Sequence, residues 1–106
     1  MALVLVTGAS TGLGLATATE LIGAGHDVVL HARNPDRPDR LDVAERAKGV
    51  VFGDLAHQEE ATWVAEQANG FGRFDAVIHN AGTMDESDTI AVNVLAPYLI
   101  TAVMPL

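Results

Sequence analysis

The chain has 106 residues, no cysteine and a formal net charge of −8, from 14 acidic and 6 basic side chains. This length suits one small domain, residues 1–106, and the composition excludes disulfides and thiolate catalysis. The negative charge repels nucleic acid and anionic membranes, and the sequence shows neither a membrane span nor a signal peptide, so we expect a cytoplasmic protein that binds neither partner.

A glycine-rich bend follows the first predicted strand. Residues 2–6 are aliphatic, as in a strand buried on both faces, and Gly8, Gly12 and Gly14 come directly after it. Glycines allow a tight turn, close approach of backbone N–H groups to a phosphate, and close packing of the next helix on the strand. Because a helix N-terminus also carries partial positive charge, the bend predicts a phosphate-binding loop. The alternative is a turn without a ligand.

The side chains around this bend divide into two groups. Hydroxyl groups that we expect to reach the phosphates belong to Thr7, Ser10 and Thr11. In the helix that follows, residues at helical spacing are expected to face the sheet: Leu13, Ala16, Thr17, Leu21 and Ala24. The expected cofactor contacts of the bend are Gly8, Ser10, Thr11, Gly12, Leu13 and Gly14.

The second predicted strand, residues 27–32, completes a βαβ unit and so implies a parallel sheet. In dinucleotide-binding proteins an acidic residue about 20 positions after the glycines binds the ribose 2′-hydroxyl. Here that place holds Ala32 and Arg33. A guanidinium suits a 2′-phosphate, which predicts NADP rather than NAD, although a solvated surface arginine is the alternative.

The rest of the chain continues the alternation of strand and helix. We expect a short helix over residues 41–48, strands over 49–53 and 74–79, and a wholly apolar helix from residue 87 or 88 to 104. A further helix carries a buried stripe formed by Ala61, Val64, Ala65 and Ala68, with Trp63 packed beside it. The four histidines lie on different elements without metal-ligand spacing, so no metal site is expected.

Polar residues follow the third and fourth predicted strands. Asp54 either accepts a hydrogen bond from an adenine amino group or caps the turn that follows it. Asn80, Ala81 and Gly82 stand at the carboxyl end of the fourth strand, the edge where open α/β sheets bind ligands. These positions extend the predicted site across the sheet.

In this order, the motifs resemble the N-terminal part of the short-chain dehydrogenase/reductase family over essentially the whole chain. The pattern T-G-x-x-x-G-x-G at residues 7–14 resembles its cofactor loop, Asp54-Leu55 its adenine-contacting pair, and Asn80-Ala81-Gly82 its strand-four signature. Asn93 resembles the helix asparagine of its active site. The resemblance implies an α/β fold with a Rossmann-like, doubly wound parallel sheet of strand order 3-2-1-4, truncated before the catalytic strands and helices.

The resemblance also implies hydride transfer between NADP(H) and a small carbonyl or alcohol substrate. In the family a Tyr-x-x-x-Lys pair moves the proton, but here Tyr98 is followed four residues later by Ala102, and Lys48 lies far upstream. The sequence therefore predicts the cofactor-binding portion of such an enzyme, with Asn93 as its catalytic position. Two alternatives stay open: a non-catalytic NADP-binding or sensing module acting through a protein partner, and the same fold with NAD, a flavin or another nucleotide.

The apolar fourth strand and the apolar last helix predict one more property. A strand at the edge of a sheet exposes unpaired backbone groups, and a wholly apolar helix exposes surface that is normally covered. We therefore expect the chain to self-associate into a homo-oligomer.

Overall fold

A computed structural model gives the fold and describes residues 2–9, 12–33, 45–81, 97, 100 and 101. Within these residues the elements are, in chain order, β1 (Leu3–Val6), α1 (Gly12–Gly23), β2 (Asp27–Ala32), β3 (Gly49–Phe52), α2 (Gln58–Asn69) and β4 (Ala76–Ile78). Residues 45, 46, 97, 100 and 101 also have helical backbone. No helix within the described ranges is both long enough and apolar enough to span a bilayer.

The four strands form one parallel sheet in the order β3-β2-β1-β4. In the centre of the sheet, Leu5 of β1 lies beside Val29 of β2 on one side and Val77 of β4 on the other. After each strand the chain crosses back to the edge at which the strands begin, as in a βαβ unit, so all four strands run in the same direction. The predicted fold class and strand order are thereby confirmed.

Alternate residues of the strands build a separate core on each face of the sheet. Leu5, Val29 and Val51 pack on one face with the predicted stripe of α2, whose members are all fully buried: Ala61, Val64, Ala65 and Ala68. On the other face α1 packs through Ala18 against a second set: Val4, Val6, Val28 and Leu30. With helices on both faces, the sheet is doubly wound, and β1 and β2 are buried from both sides.

The side of α1 that faces the sheet agrees with the prediction only in part. Leu21 is half-buried and packs against the core, as expected. Leu13 is 74% exposed, and Ala16 and Ala24 are also exposed, whereas Gly14 and Ala18 are the buried residues of the helix. Leu15 and Ile22 also pack, partly buried, against this core. At Gly14 a side chain would collide with the carbonyl of Gly8 and the side-chain amide of Asn80, so this position of the helix requires glycine.

Other predictions needed smaller corrections. The second strand has the predicted bounds, whereas the other three are shorter than expected. Phe74 lies before β4, where it is a fully buried core residue. Trp63 was expected to pack beside the α2 stripe, but it is 55% exposed because it points away from the sheet. Asn93, Tyr98 and most of the predicted last helix lie outside the described residues, as does the first half of the predicted helix 41–48.

Candidate functional site

The predicted site residues that the structure describes come together at one edge of the sheet. Residues 7–9 follow β1, Arg33 follows β2, Asp54 follows β3, and Asn80 and Ala81 follow β4. Because all four strands are parallel, their carboxyl ends meet at this edge, where open α/β sheets bind ligands. Ser10, Thr11, Gly82 and Asn93 lie outside the described residues.

Thr7 joins the ends of β1 and β4 rather than facing a ligand. Its side chain is buried, and its hydroxyl accepts hydrogen bonds from the backbone N–H groups of Asn80 at 3.0 Å and Ala81 at 3.1 Å. The same hydroxyl lies 3.4 Å from the carbonyl oxygen of Ile78, to which it donates. The expectation that Thr7 offers its hydroxyl to a phosphate is therefore wrong, because that group is fully used inside the protein.

Gly8 packs against the segment that follows β4. Its φ of 64° lies in the left-handed region, and a Cβ atom added there would stand 2.9 Å from the Cα of Ala81. Its N–H donates to Nδ1 of His31 at 2.9 Å, and its carbonyl accepts from Nδ2 of Asn80 at 3.2 Å. Since both backbone groups have partners within the protein, Gly8 contributes space to the site and not a free N–H.

The start of α1 is tight on one side and open on the other. A Cβ atom on Gly14 would collide with the carbonyl oxygen of Gly8 and with the side-chain amide of Asn80. At Gly12, which also has a left-handed φ of 58°, the position that a Cβ would take faces open space. The side chain of the next residue, Leu13, is exposed. The start of α1 is therefore open at Gly12 and closed at Gly14.

Arg33 and Asp54 form an ion pair between the ends of β2 and β3. Nε of Arg33 lies 3.5 Å from Oδ2 of Asp54, and the two side chains are 75% and 25% exposed. The other carboxylate oxygen of Asp54 accepts the N–H of Ala56 at 3.0 Å, which closes the turn before α2. Of the two roles predicted for Asp54, the structure shows the turn cap. Leu55 is buried in the core, so its side chain is not available to a ligand.

His31 is a polar residue of the site that sequence reasoning missed. It is 2% exposed and bridges two segments, since Nδ1 accepts from Gly8 and Nε2 lies 2.8 Å from the carbonyl oxygen of Gly53. Burial lowers the pKa of its imidazole below the ordinary value, against the opposing effects of the Gly53 carbonyl and the Asp54 carboxylate. A histidine inside a run of buried apolar strand residues, one strand away from a glycine loop, is the signal that would have identified it.

A second histidine follows β4. Nε2 of His79 lies 3.2 Å from the hydroxyl of Thr101, and partial burial lowers the pKa of this imidazole. The contact connects the end of β4 to a helical residue near the end of the chain. Within the described part of the chain, no three histidine or carboxylate groups are grouped as metal ligands.

The chain belongs to the short-chain dehydrogenase family, because the family model described as short chain dehydrogenase matches residues 2–105. The family predicted from the motifs is therefore confirmed.

Individual relatives support this assignment along nearly the whole chain. An uncharacterised oxidoreductase of Emericella nidulans is 43% identical, and the match covers 98% of this chain and 46% of the relative. A short-chain dehydrogenase of Gibberella zeae is 39% identical over 98% of this chain and 44% of the relative. The chain thus spans about half the length of the curated relatives it matches. The alignment with the Emericella nidulans oxidoreductase runs over 117 positions. The aligned part of that relative therefore contains residues that have no counterpart among the 106 residues of this chain.

Solved structures share the fold. A short-chain dehydrogenase from Streptomyces avermitilis has a TM-score of 0.81 at 30% identity, covering 97% of this chain and 43% of that one. A metagenomic short-chain oxidoreductase in complex with NADP has a TM-score of 0.78 at 29% identity, over 97% and 54% of the two chains. A short-chain dehydrogenase from Sphingobium yanoikuyae in complex with NADPH has a TM-score of 0.79 at 28% identity, over 97% and 46%.

Proposed function

We propose that this chain forms the cofactor-binding part of an NADP-dependent oxidoreductase, which transfers hydride between the nicotinamide and a small carbonyl or alcohol substrate. The observation that carries the proposal is Arg33, whose exposed guanidinium stands at the carboxyl edge of the sheet beside Asp54. Family membership and the NADP or NADPH bound by two of the related structures support it.

The residues present fit a dinucleotide phosphate. The open space beside Gly12 gives a pyrophosphate access to the first turn of α1, where backbone N–H groups lack helical partners and the helix dipole is positive. We assign Gly12, Leu13 and Gly14 to this contact. When bound, the nicotinamide supplies the hydride chemistry, and the protein supplies position and electrostatics.

Arg33 is assigned to the 2′-phosphate that distinguishes NADP from NAD. Its contact with Asp54 at 3.5 Å involves Nε, and we propose that the two terminal nitrogens of the guanidinium form paired bonds with the phosphate. An ion pair this exposed is worth at most about 1 kcal/mol, so little is lost when the guanidinium turns toward a ligand. Asp54 also keeps Arg33 near the ends of β2 and β3 before the cofactor arrives.

Further contacts complete the proposed site. Asn80 and Ala81, held by Thr7 and Gly8, form the β4 side of the proposed site. Backbone atoms around Asp54 and Leu55 are proposed to meet the adenine. Cofactor contacts of Ser10, Thr11 and Gly82, and a catalytic role of Asn93, stay predictions from the sequence.

We place no proton transfer on this chain. Its single tyrosine, Tyr98, is not followed four residues later by lysine, and its single lysine, Lys48, precedes β3. The proposed contribution of these residues to the reaction is to bind and orient the cofactor.

The proposal is tested by calorimetric titration of the protein with NADP and with NAD, before and after Arg33→Ala. A charge-assisted hydrogen bond contributes about 1.5–3 kcal/mol, so the substitution should weaken NADP binding by about 10- to 100-fold and change NAD binding by less than about threefold. Arg73→Ala is the matched control, because Arg73 is an exposed arginine on the segment before β4, at the opposite edge of the sheet.

Three results would contradict the proposal. Equal affinities for NADP and NAD would remove the 2′-phosphate from the recognition. If the Arg33 and Arg73 variants lost NADP affinity equally, the effect would come from the net charge of the protein and not from the position of Arg33. Failure of the unaltered protein to bind either dinucleotide, with binding of a flavin or another nucleotide instead, would favour a different ligand on the same fold.

A further inference from the structure

We propose that neutral His31 is a positioning residue of the cofactor site: it fixes the glycine loop to the end of β3, so that cofactor affinity falls when its imidazole is protonated. The proposal rests on the function proposed above. His31 itself is not assigned a contact with the cofactor.

The geometry around His31 connects three strands. Its side chain accepts the N–H of Gly8 at 2.9 Å, while its own carbonyl accepts the N–H of Ala9 at 2.9 Å. Toward β3, Nε2 of His31 forms a hydrogen bond with the carbonyl of Gly53 at 2.8 Å. The N–H of Gly53 donates to the carbonyl of Ala32 at 3.2 Å. One residue of β2 thus holds the loop after β1 and the segment after β3 in fixed positions.

These partners determine which tautomer is present. Gly8 offers an N–H, so Nδ1 must be the unprotonated nitrogen, and Gly53 offers a carbonyl, so Nε2 carries the hydrogen. Protonation would place a second N–H on Nδ1, directly opposite the N–H of Gly8. Two donors cannot share a hydrogen bond, and at 2% exposure no water replaces the lost acceptor, so the loop must move away.

Movement of Gly8 would reach the ligand side of the loop. The carbonyl of Gly8 accepts from Asn80 and lies where it leaves no room for a Cβ on Gly14. Gly8, Asn80 and Gly14 are therefore in mutual contact, and the first turn of α1 is positioned by them. A displaced Gly8 changes the position of the same turn that we propose binds the pyrophosphate.

The charged groups around His31 act in both directions. The carboxylate of Asp54 favours the protonated form of His31. That carboxylate is itself paired with Arg33, and its Oδ2 lies 3.8 Å from Nε2 of His57. The backbone N–H of Asp54 donates to the carboxylate of Glu60. On the β1 side, residues 7–9 carry no titratable side chain, and the titratable residue of α1 is Glu20 in its last turns. Burial outweighs the nearby carboxylate, so the pKa of His31 is lowered and the neutral form prevails near neutral pH.

Two substitutions separate positioning from simple packing. His31→Gln places an amide oxygen and an amide N–H about as far apart as the two ring nitrogens, so it keeps an acceptor for Gly8 and a donor for Gly53 but does not titrate. His31→Leu fills the space without either bond. His26→Gln is the matched control, because Nδ1 of His26 also accepts a backbone N–H, from Ala2 at 3.1 Å, at the opposite edge of the sheet.

The affinity for NADP is measured by calorimetry for the unaltered protein and the three variants between about pH 8 and about pH 5.5. At pH 8 the Gln variant should bind like the unaltered protein, and the Leu variant about 10-fold more weakly. Toward low pH, the affinity of the unaltered protein should fall more than that of the Gln variant. Because the pKa of His31 is lowered, this extra loss should be less than about 10-fold at about pH 5.5. Titration of the cofactor's own phosphate is common to all four proteins and cancels in this comparison.

The proposal would be overturned if the ratio of NADP affinities between the unaltered protein and His31→Gln stayed constant across this pH range. It would also be overturned if the NADP affinities of His26→Gln and His31→Gln depended on pH in the same way. A second measurement needs no cofactor: the NMR chemical shift of the Gly8 amide proton. It should titrate in the unaltered protein, stay constant in the Gln variant, and move in the Leu variant already at pH 8. If NADP binds to none of the proteins, the function proposed above fails and the link to affinity falls with it, while a titrating Gly8 amide would still establish the anchoring of the loop.

Discussion

Gly14→Ala tests whether close approach of α1 to the glycine loop holds the site together. The added methyl group would collide with two groups at once, the backbone carbonyl of Gly8 and the side-chain amide of Asn80. The carbonyl belongs to a loop fixed by hydrogen bonds on both sides, so it cannot yield without breaking them. The amide can rotate away, but it then loses its bond to Gly8.

The expected loss of stability follows from these contacts. Inserting a methyl group into a packed site costs about 1–3 kcal/mol. Loss of the hydrogen bond between Asn80 and Gly8 adds about 1 kcal/mol. Alanine in a helix regains about 0.5–1 kcal/mol relative to glycine. The net destabilisation of Gly14→Ala should therefore be about 2 kcal/mol.

Urea unfolding followed by circular dichroism measures this difference as a shift of the transition midpoint. With a slope of about 1–3 kcal/mol per molar urea, the midpoint should fall by about 1 M. Gly23→Ala is the matched control in the same helix, because no other atom lies within 4 Å of the position of its added Cβ, and it should leave the midpoint equal or raise it. If the Gly14 variant unfolds at the same urea concentration as the Gly23 variant, the close approach does not constrain the loop.

Three further predictions concern the core and the joint between the strands. Thr7→Val should lower the free energy of unfolding by about 1–2 kcal/mol, because the partly buried N–H of Ala81 loses its acceptor and that of Asn80 keeps only the carbonyl of Ile78, whereas Thr19→Val on the exposed side of α1 should change it by less than about 0.5 kcal/mol. Phe74→Ala should cost about 3–5 kcal/mol and Trp63→Ala about 1 kcal/mol or less, since only the first ring is fully buried; equal urea midpoints would refute this. Because folding lowers the pKa of His31, the unfolded chain binds more protons below about pH 6.5, so stability should decrease as the pH falls from there, and this decrease should be smaller in His31→Gln.

The fold could be predicted because its signals are local and repeated. The apolar run before the glycine bend, the residues of β2 and the alanine-rich stripe of α2 each have one periodicity and one structural consequence. The orientation of α1 could not be predicted in the same way. Leu13 and Leu15 are both apolar, so the pattern alone does not show that Leu13 is exposed while Leu15 packs against the core. Gly14 contacts both the preceding loop and Asn80, and the contact with Asn80 joins residues far apart in sequence.

The positions of the site were predictable, but the partners of its groups were not. Parallel strands bring their carboxyl ends together, so Arg33, Asp54 and Asn80 were expected at one edge of the sheet. Nothing in the sequence around Thr7 indicates that its hydroxyl is taken by the backbone of residues 80 and 81. The same holds for His31, whose two partners lie 23 and 22 residues away along the chain.

The glycine motif therefore has two parts with different physical tasks. Its first part, Thr7 and Gly8, is occupied with the protein itself, since its hydroxyl, N–H and carbonyl groups all bond to neighbouring strands. Its second part begins a helix at Gly12, beside open space, although Gly14 packs against the first part. If the first part fixes the loop and the second part binds phosphate, substitutions at Thr7 should impair folding and ligand binding together. Shortening Leu13, which is exposed, should alter ligand binding with little change in stability.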